Sequence, residues 1–265
     1  MEAAACHTAH VEATFDGCAA SFAKVIDRSR QEGDRVGLFA CMYERVTAAV
    51  RARCEDGRFV ETARMEHFVC TFADRYFAAH EEWRSGGSPT RSWATAFEAA
   101  RRWRPVVVQH LLLGMNAHIN LDLGITTAAL AGSPERLPRM RSDFDAVNDV
   151  LASMVDLSQD ELAAASPWFG LVDHLGGRHD ETLICFSLRR ARDQAWALAQ
   201  HLVTLPEAAW PAEIERIDGE VAGIARRILH PGFVLSGGLA LVRLREPWTA
   251  GRALDAVERT ALAGP

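Results

Sequence analysis

The stretch that decides the fold is Gln109-His110-Leu111-Leu112-Leu113-Gly114-Met115-Asn116-Ala117-His118-Ile119-Asn120-Leu121-Asp122-Leu123. Six of its side chains are polar, and the others are apolar apart from one glycine. Polar groups are costly to bury without partners, so these six need a defined environment. A helix turns about 100° per residue and sorts them into two stripes. The stripes are His110, His118 and Asp122 on one face, and Gln109, Asn116 and Asn120 on another. The stretch therefore predicts a central helix that lines a polar site.

The composition is that of an ordinary globular protein. Of the 265 residues, 49% are hydrophobic and 24% are charged, and the net charge is -6. A chain of this length can bury a substantial core. Lys24 is the only lysine, and we attribute the excess of arginine to a GC-rich genome rather than to a phosphate-binding surface. We therefore expect no nucleic acid as a partner.

Nothing in the sequence points to a membrane or to secretion. Residues Met1 to His10 lack the basic and apolar regions of a signal peptide. The apolar run Val106 to Leu113 is interrupted by Gln109 and His110, and no run approaches the roughly 18 apolar residues of a membrane span. We expect a cytoplasmic protein with no membrane partner.

The cysteines are scattered and form no CxxC pair, which favours reduced, partly buried thiols over a disulfide framework or a zinc finger. They are Cys6, Cys18, Cys41, Cys54, Cys70 and Cys185.

Apolar residues recur at helical spacing almost everywhere, and alternating strand patterns are missing. One such seam is Phe39, Met42, Val46 and Val50, and others run through Phe68, Phe72 and Tyr76 and through Ala195, Leu198 and Leu202. The seams are interrupted at Gly33-Asp34, Asp56-Gly57, Ser85 to Pro89, Gly132 to Pro134, Gly176-Gly177 and Leu205-Pro206. We predict an all-α, single-domain helical bundle of roughly eight to ten helices around the central polar-striped helix. The domain spans residues 1–265, with residues 1–33 as a candidate peripheral N-terminal helix.

The central helix carries the first candidate site. His118 and Asp122 are four residues apart, so imidazole and carboxylate lie side by side and can both approach one divalent cation. The alternative is a hydrogen-bonded pair in which the carboxylate orients the ring. His110 lies two turns earlier and cannot easily share the same ion. We therefore name His118 and Asp122 as candidate catalytic residues and metal ligands.

Asn116 and Asn120 form a second pair at the same spacing. An amide offers both a donor and an acceptor, so these two residues are candidate groups for holding a polar substrate. Satisfying buried backbone groups is the alternative, and we favour it.

A second cluster lies in residues 142–156, where Asp145, Asn148 and Asp149 follow helical spacing. If this face meets the stripe of His118, Asp145 and Asn148 join the catalytic site, and Asp145 or Asp149 completes a metal site. If the face meets water, the acidic residues form a solvated helix start.

A third cluster is the glycine-containing loop Asp173 to Glu181. Its His174 and His179 are candidate metal ligands or general bases, because neutral imidazole serves both purposes. The next helix carries Arg189, Arg190 and Arg192 beside Asp193 and Trp196. Its arginines favour ion pairs to the acidic helices, with an anion clamp as the alternative.

Several of these motifs together resemble an uncharacterised family of helical bacterial proteins. They are Gly114 to Leu123, Asp143-Phe144, Val147-Asn148, Arg192 and Ala195-Trp196. The match runs from about Val36 to Leu202 and implies a helical fold and the shared polar helix, but no activity.

A shorter element, His118-Ile119-Asn120-Leu121-Asp122-Leu123, is similar to one in the helical zinc-dependent phospholipase C and single-strand nuclease group. Those proteins have a further histidine close by, whereas Leu123 to Gly132 contains none. The likeness implies a reduced site of one or two metals, in which His118 and Asp122 are joined by Asp145, His174 or His179.

Three functional hypotheses follow. The first is an intracellular enzyme that uses a divalent metal (Zn, Mn, Fe or Mg) to hydrolyse an ester or phosphoester of a small metabolite. The second is a metal-free or magnesium-assisted lyase or cyclase that acts on a hydrophobic secondary metabolite, with Trp168 or Trp196 shaping its pocket. The third is a non-catalytic helical binding or scaffold protein whose buried polar stripes serve packing alone.

Overall fold

A computed structural model describes residues 14–59, 61–148, 150, 188–246 and 249–262. Within these ranges every regular element is helical and no strand occurs, which confirms the predicted all-α bundle. The helices are α1 (Phe15–Glu32), α2 (Gly37–Glu55), α3 (Thr62–Arg84), α4 (Arg91–Ala100), α5 (Val107–Ala117), α6 (Leu123–Ala131), α7 (Leu188–Leu202), α8 (Trp210–Leu229), α9 (Phe233–Arg245) and α10 (Ala250–Leu262). A π-helical turn, His118–Asp122, joins α5 to α6, and residues 141–148 are also helical. Short 3-10 turns occupy Leu137–Met140 and Glu207–Ala209.

The helices end where glycine or a capping residue interrupts the periodicity. The Thr14 hydroxyl accepts a hydrogen bond from the backbone N–H of Gly17 and caps the start of α1. Gly33 and Gly132 adopt the left-handed conformation, with φ of 71° and 68°, and terminate α1 and α6. The predicted interruption at Gly176-Gly177 lies outside the described residues, whereas each of the others separates two helices.

Two helix starts are capped by carboxylates from distant parts of the chain. Asp218 of α8 accepts hydrogen bonds from the backbone N–H groups of Arg91 and Ser92 at 2.6 and 3.0 Å, at the start of α4. Glu246 accepts from the backbone N–H of Val107 at 3.0 Å, at the start of α5. A carboxylate at a helix start accepts hydrogen bonds from backbone N–H groups that have no partner within the helix. Its negative charge also interacts favourably with the helix dipole.

The core is an aromatic cluster in which α1 to α4 surround the central helix. Its rings lie at contact distances in stacked and edge-to-face arrangements, and they belong to Phe22, Phe39, Tyr43, Phe72, Tyr76, Trp93, Phe97 and His118. Aromatic pairs of this kind add stability beyond the area that they bury. The predicted seams of α2, α3 and α7 contribute to this core.

The central helix approaches its neighbours closely at two glycines. A Cβ atom on Gly114 would overlap the ring of Phe39 in α2. One on Gly124 would lie 2.8 Å from the carbonyl oxygen of Ala195 in α7. A backbone carbonyl within a packed helix has little room to move, so Gly124 sets how closely α6 and α7 approach each other.

Four buried thiols are free, as predicted: those of Cys18, Cys41, Cys54 and Cys70. Among the described residues we find no helix that is both long and apolar enough to cross a bilayer. Whether residues 1–265 form one domain stays a prediction, because residues 1–13 and 151–187 lie outside the described part of the chain.

The close contact at Gly124 predicts that even a methyl side chain at this position lowers the stability of the fold. We expect Gly124→Ala to lower the free energy of unfolding by about 2 kcal/mol or more, because the added methyl group meets backbone. Gly223→Ala is the matched control, since a Cβ atom at this position of α8 meets nothing within 4 Å. We expect the control to raise the free energy of unfolding by about 0.5–1 kcal/mol through helix propensity. Urea unfolding followed by circular dichroism measures both, and similar values for the two variants would contradict the assigned contact.

A second prediction concerns acid stability. His80 of α3 is buried between the rings of Tyr76 and Phe97. Burial, together with the charge of Arg84, lowers the pKa of His80 to about 4. In the unfolded chain the pKa is about 6.5, so below this pH the unfolded state binds a proton that the folded state does not. This residue therefore makes the free energy of unfolding decrease as the pH falls from about 6.5 to about 4, by up to about 3 kcal/mol.

The variant His80→Phe keeps an aromatic ring in place and removes the titrating group. We expect its stability to depend less on pH over this interval than that of the wild type, as measured by urea unfolding at several pH values. His67→Gln, at an exposed position of the same helix, serves as the control and should follow the wild type. Parallel curves for His80→Phe and the wild type would show that the burial of His80 does not limit acid stability.

Candidate functional site

The predicted pair of His118 and Asp122 is formed, and it lies at the π-helical turn of the central helix. The His118 Nδ1 atom is 3.3 Å from the Asp122 Oδ2 atom, and both side chains are almost fully buried. The imidazole ring stacks on Phe72, with ring centroids 3.5 Å apart and planes 10° from parallel. Single turns of π-helix inside α-helices occur frequently at functional sites, which directs attention to this pair.

Asp122 is surrounded by donors from three helices. Its Oδ1 atom accepts a hydrogen bond from Arg75 Nε of α3 at 3.0 Å. Its Oδ2 atom accepts from Trp93 Nε1 of α4 at 2.8 Å, in addition to His118. Burial by itself would raise the pKa of Asp122, but the hydrogen bond from His118 and the charge of Arg75 lower the pKa below its ordinary value. Asp122 is therefore an ionised carboxylate.

This arrangement defines the proton positions of His118. A carboxylate can only accept, so His118 donates from Nδ1 and carries a lone pair on Nε2. The Nε2 atom is buried and has no hydrogen-bond partner within the described residues. Burial lowers the pKa of His118 by more than Asp122 raises it, so the ring is neutral. His118 thus presents a hydrogen-bond acceptor held in one orientation.

His118 lines a cavity of about 140 Å³. The walls come from α2, α3, the central helix, Val147 and α7, and they are mostly aromatic and aliphatic. The polar residues of the lining include Tyr43, Thr47 and Arg192. The two hydroxyls are buried and have no hydrogen-bond partner in the described part of the chain. Burial raises the pKa of Tyr43 well above its ordinary range, so its hydroxyl remains a donor.

The second stripe of the central helix serves packing, as favoured from the sequence. Gln109 donates from Nε2 to the Ile228 carbonyl at 2.7 Å, and Asn116 donates from Nδ2 to the Val221 carbonyl at 2.9 Å. Both carbonyls belong to α8. Asn120 donates to the side-chain oxygen of Asn116 at 2.9 Å, so both ends of the Asn116 amide are bonded. The role of Asn116 and Asn120 in substrate binding stays a prediction.

His110 lies apart from the pair of His118 and Asp122, as expected from its distance along the helix. It borders a separate cavity of about 20 Å³, together with Arg35, Tyr76 and Gly114. Burial lowers the pKa of His110 to about 3, so this ring is also neutral.

The acidic cluster does not meet the pair through Asp145. The Asp145 side chain is 43% exposed, and its Oδ2 atom accepts from Arg141 Nε at 2.6 Å. Asp145 therefore follows the alternative in which the acidic residues face water. The physical reason is that Asp145 pairs with an arginine one turn away on its own helical segment. Asn148 is partly buried. Asp149, His174 and His179 lie outside the described residues, and within those residues no group of three His, Cys, Asp or Glu side chains is placed to hold a metal ion.

Trp196 does not line the cavity of His118. It borders a more open groove of about 340 Å³ with Arg141, Leu137 and Val203. Trp168 lies outside the described residues.

Four residues of the site were missed by sequence reasoning. Tyr43 and Thr47 are four residues apart, beside the apolar seam of α2. Two hydroxyl groups on a mostly apolar helix face were the signal in the sequence that could have identified them as site residues. Arg75 lies between apolar residues of the α3 seam, and Trp93 lies on α4. Neither residue could be matched to Asp122, because one sequence does not reveal which helices are neighbours.

Comparison with known proteins identifies a family and no homologue of known activity. Residues 16–231 match a family described as a family of unknown function, DUF5995. No curated protein and no solved structure matches the chain. The predicted resemblance to an uncharacterised family is thereby confirmed, whereas the likeness to the zinc-dependent phospholipase C and nuclease group stays a prediction.

The contacts of Asp122 predict a strong effect on stability. We expect Asp122→Ala to lower the free energy of unfolding by about 3 kcal/mol or more, because Arg75 and Trp93 both lose their acceptor. Asp145→Ala is the matched control, since it breaks only an exposed pair and should cost less than about 1 kcal/mol. Urea unfolding measures both values, and an equal loss for the two variants would contradict the central position of Asp122.

Proposed function

The chain belongs to DUF5995, a family of unknown function, and from its site we propose that it is an enzyme acting on a small, mainly apolar molecule. In this proposal the cavity binds the molecule, and His118, oriented by Asp122, acts as the general base. The observation that carries the proposal is the unbonded Nε2 atom of a ring that lines an apolar cavity while its Nδ1 atom is bonded to a buried carboxylate.

The chemistry of this pair is that of an oriented base. When Nε2 takes a proton, the ring becomes an imidazolium, and the negative charge of Asp122 stabilises it. The carboxylate also fixes the tautomer that leaves the lone pair on Nε2. Stacking against Phe72 and the edge contact with Tyr43, at a centroid distance of 4.5 Å, hold the ring in place.

The size and lining of the cavity support an apolar substrate. An apolar cavity of about 150 Å³ holds a molecule the size of benzene, and this cavity measures about 140 Å³. The hydroxyls of Tyr43 and Thr47 supply hydrogen bonds to a polar part of the molecule. Removal of a proton from the substrate corresponds to a lyase or cyclase, and removal of a proton from water corresponds to ester hydrolysis.

The proposal does not need a metal. Both oxygens of Asp122 already accept hydrogen bonds, and one donor is the cationic Arg75. A divalent cation bound at Asp122 would have to displace this guanidinium and would meet its charge. The metal-assisted route through His118, Asp122, His174 and His179 stays a prediction, as does the non-catalytic alternative.

Base catalysis can be tested without knowledge of the natural substrate. In 1,2-benzisoxazole a base removes the ring C–H proton, the N–O bond breaks, and the product is a cyanophenolate whose absorbance is measured. We expect the wild type to accelerate this reaction and His118→Phe, which keeps a ring against Phe72, to lower kcat/KM by about a hundredfold or more. His110→Phe is the matched control, because it removes another buried imidazole of the same helix outside this cavity. Equal rates for the two folded variants would refute His118 as the base.

Binding is tested separately with the neutral probe 2-(4-fluorophenyl)ethanol, followed by fluorine NMR. We expect the wild type to bind it and Val46→Phe to lose binding, because Val46 belongs to the cavity wall. Val257→Phe, at a partly buried position of α10, is the control and should bind like the wild type. A wild type that does not bind the probe would overturn the cavity as the site.

A further inference from the structure

One buried charge near the cavity has no counter-ion among the residues that the structure describes. Arg192 of α7 is only 4% exposed and lines the cavity. Its Nη2 atom donates to the carbonyl oxygen of Phe144, and its guanidinium lies over the Phe144 ring, 4.4 Å from the centroid. The Nε atom has no hydrogen-bond partner, and Arg192 forms no ion pair with any residue that the structure describes.

Within the described part of the chain, Arg192 thus makes none of the ion pairs expected for this helix from the sequence. The carboxylate of Asp145 is held by Arg141, and Asp193 is exposed to solvent. Burial lowers the pKa of Arg192 to about 10, which leaves the side chain charged at neutral pH. A buried charge is costly unless it is paired, and a carbonyl and an aromatic ring only partly replace a counter-ion.

The other charges of the cavity have the same sign. Arg45 also lines it, and the described lining residues include no carboxylate. Asp122, the acid bonded to His118, is bound directly by Arg75. The described lining thus contains two arginines among mostly apolar residues, and of these Arg192 is the buried one.

We infer that the ligand of this cavity is an amphiphilic monocarboxylate, whose apolar body lies against the aromatic walls and whose carboxylate pairs with Arg192. This inference rests on the proposed function and specifies its substrate class.

A carboxylate fits the site better than a phosphate does. The planar guanidinium fork matches a planar carboxylate, and one buried cation balances one negative charge. A phosphate group carries more charge and three acceptor oxygens, and it would need further donors. The cavity of about 140 Å³ also leaves little room for a bulky anion beside a ring-sized body.

The test uses three probes with the same fluorinated ring and different charges. They are 4-fluorophenylacetate, 2-(4-fluorophenyl)ethanol and 2-(4-fluorophenyl)ethylamine. Fluorine NMR titration at neutral pH gives a Kd for each with the full chain. We expect the wild type to bind the acid about tenfold or more tightly than the alcohol, which is the contribution of one charge-assisted hydrogen bond. The amine should bind more weakly than the alcohol.

Variants identify the residue responsible. Arg192→Met keeps a long apolar side chain, and we expect it to lose the preference, so that the ratio of its Kd values for alcohol and acid approaches one. Arg192→Lys should retain part of the preference. Arg28→Met, at an exposed position of α1, is the control and should preserve the full preference. Urea unfolding followed by circular dichroism shows whether each variant is folded.

The outcomes separate this inference from the proposed function. If the wild type binds the alcohol as tightly as the acid, or if the preference survives in Arg192→Met, the carboxylate inference is wrong and the cavity remains a site. If the wild type binds none of the probes, the cavity is not a ligand site. Both the proposed function and the carboxylate inference are then wrong.

Discussion

The structure depends above all on one buried carboxylate. Asp122 lies in the wide turn of the central helix and joins α3 through Arg75 and α4 through Trp93. A buried charge is tolerated when hydrogen-bond donors surround it. These donors therefore allow the carboxylate to lie within the aromatic core. His118 belongs to the same network and takes its orientation from it. The stability of the core and the proposed chemistry of the site therefore share a single group.

The two polar stripes of the central helix have different surroundings. Gln109 and Asn116 bind backbone carbonyls of α8, which fixes the helix on one side. His118 faces the opposite neighbours, α2 and α3, where the cavity lies. Amides suit the first position because they are neutral and offer both a donor and an acceptor, and the neutral imidazole at the second leaves a lone pair on Nε2. A helix fixed in this way can hold a reactive ring without a flexible loop.

Local features of this chain could be predicted from its sequence, and features that depend on neighbouring helices could not. Glycine positions such as Gly33 and Gly132 marked helix ends, and the spacing of His118 and Asp122 brought them together, because both are properties of one helix. The π-helical turn had no indication in the residue pattern. The partners Arg75 and Trp93, and the exposure of Asp145, follow from which helices are adjacent. The cavity is likewise formed by several helices that only the fold brings together.

The carboxylates that cap α4 and α5 bear on the order of folding. Asp218 and Glu246 reach amides that lie 127 and 139 residues earlier in the chain. Contacts between such distant segments form late, because a long loop must close before they contribute. During synthesis, the start of the central helix therefore lacks the carboxylate of Glu246 until that residue has been made. The start of α4 likewise lacks its carboxylate until α8 has been made.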